Sequence, residues 1–163
     1  MQPRWFAVYT RARHEKRIAE QLDKKQIEHF LPVYESVHRW RDRNATVRLP
    51  LFPGYVFVRL CLTDRLHVLQ LPGVVRFVSF SGQPQPLPEN QLESLRNGLA
   101  SQLRIEPHPF LRIGRKVRIR RGPLAGAEGI LLRRKERMRF VLSLEILMRS
   151  VAVEVDAADI EPI

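Results

Sequence analysis

The sequence predicts an α+β domain, an antiparallel sheet flanked by helices, followed by a small all-β barrel. Three observations carry this. Runs rich in aromatic and β-branched residues, strand-like in composition, occur at Trp5 to Thr10 and again at Tyr55 to Leu60. The spacing turns helical at Ile18, Ala19 and Leu22, and later at Leu92, Leu95 and Leu99. Beyond Leu111 only short strand-like runs remain, broken by glycine-rich turns.

Taken in order, Trp5 to Thr10 is rich in aromatic and β-branched residues and forms the first strand. A helix spans His14 to Gln26, with Arg11, Arg13, Lys16 and Arg17 crowding its start. Cations there oppose the helix dipole, which suggests an anionic ligand as readily as a solvated face. Ile27 to Tyr34 reads as one edge or bulged strand interrupted by Pro32. His38 to Asn44 has hairpin-tip composition, and Trp40 between Arg39 and Arg41 either stacks on bases or folds back on the sheet. Pro53-Gly54 makes a bend before the central strand, Leu51 to Leu62, which carries Tyr55 and Phe57 on one face and Val56 and Val58 on the other. Both faces are apolar, so both need cover: the domain's own core on one side, and a helix of this chain or a partner protein on the other. A short helix over Asp64 to Leu71, capped by Thr63, a strand over Val74 to Ser81, a proline-rich loop to Pro88 and a helix over Glu89 to Leu99 complete the first domain, residues 1–100.

Residues 101–110 hold two prolines without periodicity and read as a linker. The second domain, 111–163, begins with a strand from Arg115 to Arg120 whose outer face is basic. The turn Arg121 to Ile130 and strands near 129–135, 138–144, 148–153 and 159–161 follow. A closed barrel removes the exposed edges of so short a set of strands.

Charge is distributed unevenly. The chain of 163 residues carries +11 overall, but residues 1–50 hold +5, 51–111 hold +1, 112–139 hold +9 and 140–163 hold −4. Such polarity favours nucleic acid, or a machine built on it, as partner. No run is long and apolar enough to span a bilayer, and Met1 to Trp5 lacks the pattern of a signal peptide, so a cytoplasmic location without membrane association is expected. Catalysis is not expected. His14-Glu15 has no second histidine at zinc-protease spacing, Gly122, Gly126 and Gly129 lack the lysine and hydroxyl of a phosphate loop, and the single Cys61 supports neither a disulfide nor a structural metal site. No cofactor or metal is anticipated.

Two segments, taken together, resemble the NusG-type transcription elongation and antitermination factors. Trp5 to Thr10 with the basic helix and Leu51-Phe52-Pro53-Gly54-Tyr55-Val56-Phe57-Val58 is similar to their N-terminal (NGN) domain; Gly114 to Gly129 is similar to a KOW motif on an SH3-like barrel. The stretch from Arg39 to Leu60 is most similar to specialised paralogs such as the UpxY and RfaH antiterminators.

The resemblance implies a monomeric factor that binds RNA polymerase and suppresses pausing or termination without turnover. It places Tyr9, Phe52, Pro53, Tyr55 and Phe57 on the clamp helices of the largest catalytic subunit, with the rings uncovered, so that alanine at Tyr55 and Phe57 abolishes capture and leaves the fold intact. It places Arg11, Arg13, Lys16 and Arg17, with Arg39, Trp40 and Arg41, near non-template DNA or nascent RNA. Residues Thr63 to Gln70 correspond to a contact with the other large subunit, but Arg65, Leu66 and His67 depart from its polar signature. The KOW barrel implies a small-subunit ribosomal protein or a termination helicase as second partner. Its basic face (Arg118, Arg120, Arg121, Arg133 and Arg134) either meets nucleic acid or is balanced by Glu145, Glu154, Asp156, Asp159 and Glu161. The helix formers of 131–150 admit the helical hairpin of one paralog type; the glycine-rich turn and Val151 to Val155 favour the barrel. A general factor promoting helicase-dependent termination and a ribosome- or RNA-binding KOW protein are the competing readings.

Overall fold

A computed structural model describes residues 2–163. Strand β1 (Arg4–Thr10) leads through a turn into α1 (Glu15–Lys24), followed by β2 (Glu28–Phe30), β3 (Val33–Trp40), β4 (Arg43–Pro50) and β5 (Tyr55–Leu60). A 3-10 turn at Leu62–Asp64 precedes α2 (Leu66–Leu69), then come β6 (Val74–Phe77), β7 (Ser79–Phe80) and β8 (Gln83–Pro84). Helix α3 (Glu89–Ala100), β9 (Glu106–His108), β10 (Arg115–Ile119), β11 (Glu128–Arg134), β12 (Arg137–Leu144), β13 (Arg149–Val155) and β14 (Ile160–Pro162) complete the chain.

Internal contacts group the chain into two compact units, one through Leu87 and one from Pro88 on. In the first, an antiparallel sheet has the order β2-β5-β1-β6, so β1 and β5 are its central strands. Their register, from Arg4 opposite Leu60 to Tyr9 opposite Tyr55, sorts the side chains onto two faces. One face carries Phe6, Val8, Val56, Val58 and Phe77, which pack with Ile18 and Leu22 of α1 and Val68 of α2. That cluster is the core that the helical spacing of α1 was expected to complete. Strands β3 and β4 form a separate two-stranded hairpin.

Several local expectations are corrected. Ile27 to Tyr34 is two strands, because Pro32 cannot donate to a ladder and β2 and β3 enter different sheets. Thr63 caps no α-helix: it lies inside the 3-10 turn, and α2 starts after Arg65 without a side-chain cap. Val74 to Ser81 breaks at Val78, and the proline-rich segment supplies β8, paired with β7.

The second unit is one antiparallel sheet in the order β14-β10-β11-β12-β13-β9, together with α3. Residues 131–150 lie mainly in β11, β12 and the start of β13, so this segment is strand and not helical hairpin. Within the segment read as a linker, Glu106–His108 pairs with β13. Contact grouping places helix α3 in the second unit, where Gly98 faces Leu124 and Ile105 so closely that a Cβ there would meet them at 2.9 and 3.0 Å. Gln91 Nε2 also donates to the Ser143 carbonyl at 3.2 Å.

Gly129 on β11 is tighter still, since a Cβ would press on the Val141 carbonyl and come within 2.7 Å of the Phe140 ring. Gly129→Val is therefore expected to destabilise the second unit by about 1–3 kcal/mol through overpacking, read as a lower urea midpoint at unchanged m-value.

Candidate docking and nucleic-acid surface

The face of the first sheet opposite the helices α1 and α2 is built from aromatics. Cross-strand register brings Phe30, Phe57 and Ala7 into one row and Tyr55, Tyr9 and Arg76 into the next. Phe57 packs against Phe30 and edge-on against Phe52, with ring centroids 6.2 and 5.6 Å away. Tyr9 and Tyr55 lie 4.6 Å apart, and the Tyr55 hydroxyl donates to the Tyr9 hydroxyl at 2.9 Å. Arg76 sits over the Tyr9 ring at 5.2 Å, within cation–π range.

The expectation that these rings stand uncovered fails for three of them. Phe57 is 0% exposed, Phe52 2% and Tyr55 4%; Tyr9 is half-buried and Pro53 exposed. Edge-on and tilted contacts among the rings take part in that burial, each buried ring contributing about 1.5–3 kcal/mol. Alanine at Phe57 would thus cost about 3–5 kcal/mol of stability, and a fold left intact is not expected.

The bend that carries Phe52 and Pro53 is held from two sides. Thr10 N donates to the Gly54 carbonyl at 2.9 Å, and Gly54 N donates to the buried Glu15 carboxylate at 3.1 Å. Gly54 adopts φ +87, a left-handed conformation that glycine takes without steric cost. Glu15 is the acid in the first turn of α1, where the helix dipole favours it, so one carboxylate fastens the bend to the helix start. In the sequence Glu15 was weighed only with His14 against a zinc-protease motif; its place in the first turn of the helix was the available signal.

The same corner carries exposed cations. Arg11, Arg13 and Arg17 are exposed and form no side-chain hydrogen bond or ion pair among the described residues. Arg13 is left-handed at φ +64. Lys16 is exposed as well, but its ammonium donates to the Arg48 carbonyl at 3.0 Å. On the β3–β4 hairpin, Arg39, Trp40 and Arg41 all face solvent, and Trp40 is 64% exposed, so the ring does not fold back. Arg43 lies directly opposite Trp40 on the same face, a neighbour fixed by register that the sequence reading did not single out. Arg76 was missed in the same way.

On the barrel the expected basic face divides. Arg118 bonds Glu128 at 2.7 Å and reaches Glu161 at 3.5 Å; the Glu128 hydrogen bond holds its guanidinium proton more tightly than usual. Arg121 pairs with Asp159 at 2.7 Å. Arg120, Arg133 and Arg134 are exposed and form no ion pair among the described residues. No group of His, Cys, Asp or Glu among the described residues is placed to hold a metal ion, and no described helix is long and apolar enough to cross a membrane.

A family model described as "Transcription termination factor nusG" matches residues 3–96. The chain belongs to the NusG family. Among curated NusG relatives, the transcription termination/antitermination protein NusG of Staphylococcus aureus (strain Mu50 / ATCC 700699) is 30% identical across 97% of this chain and 94% of its own length. That of Rickettsia prowazekii (strain Madrid E) is 26% identical across 93% and 86%. A solved structure described as "Domain interaction in Thermotoga maritima NusG" shares the NusG fold at TM-score 0.55 and 23% identity, covering 100% of this chain and 98% of that one.

Glu15→Ala leaves the Gly54 N–H without its buried acceptor and is expected to cost about 1–3 kcal/mol. Glu15→Gln, which keeps an acceptor oxygen, should recover part of that loss in thermal unfolding; equal losses in the two variants would show that the bond to Gly54 is not what matters.

Proposed function

We propose that this NusG-family protein is a transcription elongation factor that binds RNA polymerase and suppresses pausing and termination. It holds the clamp helices of the largest catalytic subunit at the β1–β5 corner while basic residues beside that corner engage nucleic acid. One observation carries the reading. Tyr9, Pro53 and the exposed Arg11 and Arg13 flank the corner where the end of β1, the Phe52-Pro53-Gly54 bend and the start of α1 are joined through Thr10, Gly54 and Glu15, and Arg17 follows on the first turn of α1. An apolar contact and a phosphate contact adjacent to each other suit a protein helix pair running beside DNA. In this arrangement Tyr9 and Pro53 make the contact, and Phe52, Tyr55 and Phe57 form the packed floor that fixes them. Arg11, Arg13, Lys16 and Arg17, with Arg39, Trp40 and Arg41 on the hairpin, meet the non-template strand or nascent RNA; phosphate contacts set affinity and the exposed indole offers a stacking face. The KOW barrel serves a second partner, a small-subunit ribosomal protein or a termination helicase. The function is binding, without chemistry.

A general factor that promotes helicase-dependent termination is the second reading, favoured by the family description, which names termination alone. Transcription through a terminator with the helicase present separates the two: greater read-through supports the first and greater release the second.

Immobilised full-length protein should capture core polymerase. Tyr9→Ala and Pro53→Ala should each weaken capture by about 1–2 kcal/mol, roughly five- to thirty-fold, with the protein still folded. Undiminished capture by both variants would remove this corner from the interface. Arg11→Ala with Arg17→Ala should lower the salt dependence of single-strand binding by about 0.7 per lost phosphate contact.

A further inference from the structure

We infer that the tip of the β11–β12 hairpin is a phosphodiester-binding element, separate from the corner on the first unit. Several arginines of the barrel are paired with carboxylates. Arg112 pairs with Glu145 at 3.7 Å, Arg118 with Glu128 and Glu161, Arg121 with Asp159, Arg137 with Glu154 at 3.0 Å and Arg139 with Glu106 at 3.4 Å. The acidic stretch that follows residue 140 supplies Glu145, Glu154, Asp159 and Glu161 to that neutralisation. Arg115, Lys116 and Arg120 along and just after β10, and Arg133, Arg134 and Lys135 at the tip, are exposed and without an ion pair among the described residues; only the tip has three of them in consecutive positions.

Two further features place this cluster at odds with folding stability. Arg134 lies directly opposite Arg137 in the β11–β12 ladder, and like charges in that position repel. Lys135, at the turn, is left-handed at φ +55, where glycine or asparagine is the ordinary occupant. Glu136, the one acid of the turn, is exposed and forms no ion pair, and against it Arg133, Arg134 and Lys135 still leave the tip net positive. A ligand that supplies several negative charges along a line offsets the repulsion between these cations, and a nucleic-acid backbone does so. The cluster 133–137 contains no aromatic side chain on which bases would stack, so recognition here is of phosphates and independent of sequence. The inference does not depend on polymerase binding, since the isolated full-length protein is the object tested.

The test is fluorescence anisotropy of full-length protein with two probes of mixed sequence, a single-stranded RNA and a duplex DNA, across a salt series. Arg133→Ala, Arg134→Ala and Lys135→Ala combined should weaken binding to one probe or both at least tenfold and flatten the slope of log affinity against log salt by about two to three. Which probe loses affinity identifies the source of the phosphates. The charge-matched control, Arg112→Ala, Arg118→Ala and Arg121→Ala combined, removes cations already paired and should change affinity less than threefold. A single change, Arg134→Glu, sets opposite charges across the ladder; it should hold or raise the melting temperature while weakening binding. Binding of neither probe, equal losses in the two triple variants, or Arg134→Glu binding at full strength would each overturn the inference.

Discussion

The antiparallel pairing of β1 with β5 is the constraint on which the first unit depends. Because side chains alternate, one register assigns Phe6, Val8, Val56 and Val58 to the helices and Tyr9, Tyr55 and Phe57 to the other face. A shift by one residue would exchange the two sets and bury tyrosine hydroxyls against α1. The pairing also ends where it matters: past Tyr9 the chain turns into Arg11, and ahead of Tyr55 it passes through the Gly54 bend. The hydrogen bond from Thr10 to Gly54 and the reach of Glu15 then lock two loops that the sheet alone would leave free. The end of β1, the Gly54 bend and the start of α1 are thereby held in fixed relation by backbone geometry.

The balance between core and surface on that face is set by packing. An aromatic cluster gains more from edge-on and tilted contacts than its rings would gain by standing alone in water. Three rings are consumed in this way, and Tyr9 and Pro53 are left to present the result. A face of this kind is rigid before any partner arrives, which lowers the ordering cost of association. The Tyr55 to Tyr9 hydroxyl bond adds direction, since it fixes the orientation of the half-buried ring.

Much of the fold was legible because the period of apolar residues is strong where the core is. The apolar run Trp5 to Val8, the spacing of Ile18 and Leu22, and the Leu92 and Leu95 pair all lie on buried positions. What escaped were features decided by tertiary partners. Nothing local in residues 101–110 marks Glu106–His108 as a strand, because its pairing depends on β13, some forty residues away. Thr63 has the chemistry of a helix cap, yet a 3-10 turn claims it. The aromatics were recognised as a set, but burial depends on which of them face one another, and that follows from register. Arg43 and Arg76 were invisible for the same reason: each acquires its aromatic neighbour across strands.

The barrel's paired arginines bear on how such proteins should be compared. A guanidinium already bridged by carboxylates, as Arg118 is by Glu128 and Glu161, releases few counter-ions when a polyanion approaches. Isoelectric point counts it in full; a sulfated polysaccharide column would hardly register it. Retention on heparin should therefore rank basic homologues by the cations their own folds leave vacant, and two chains of identical formal charge can differ widely in that number.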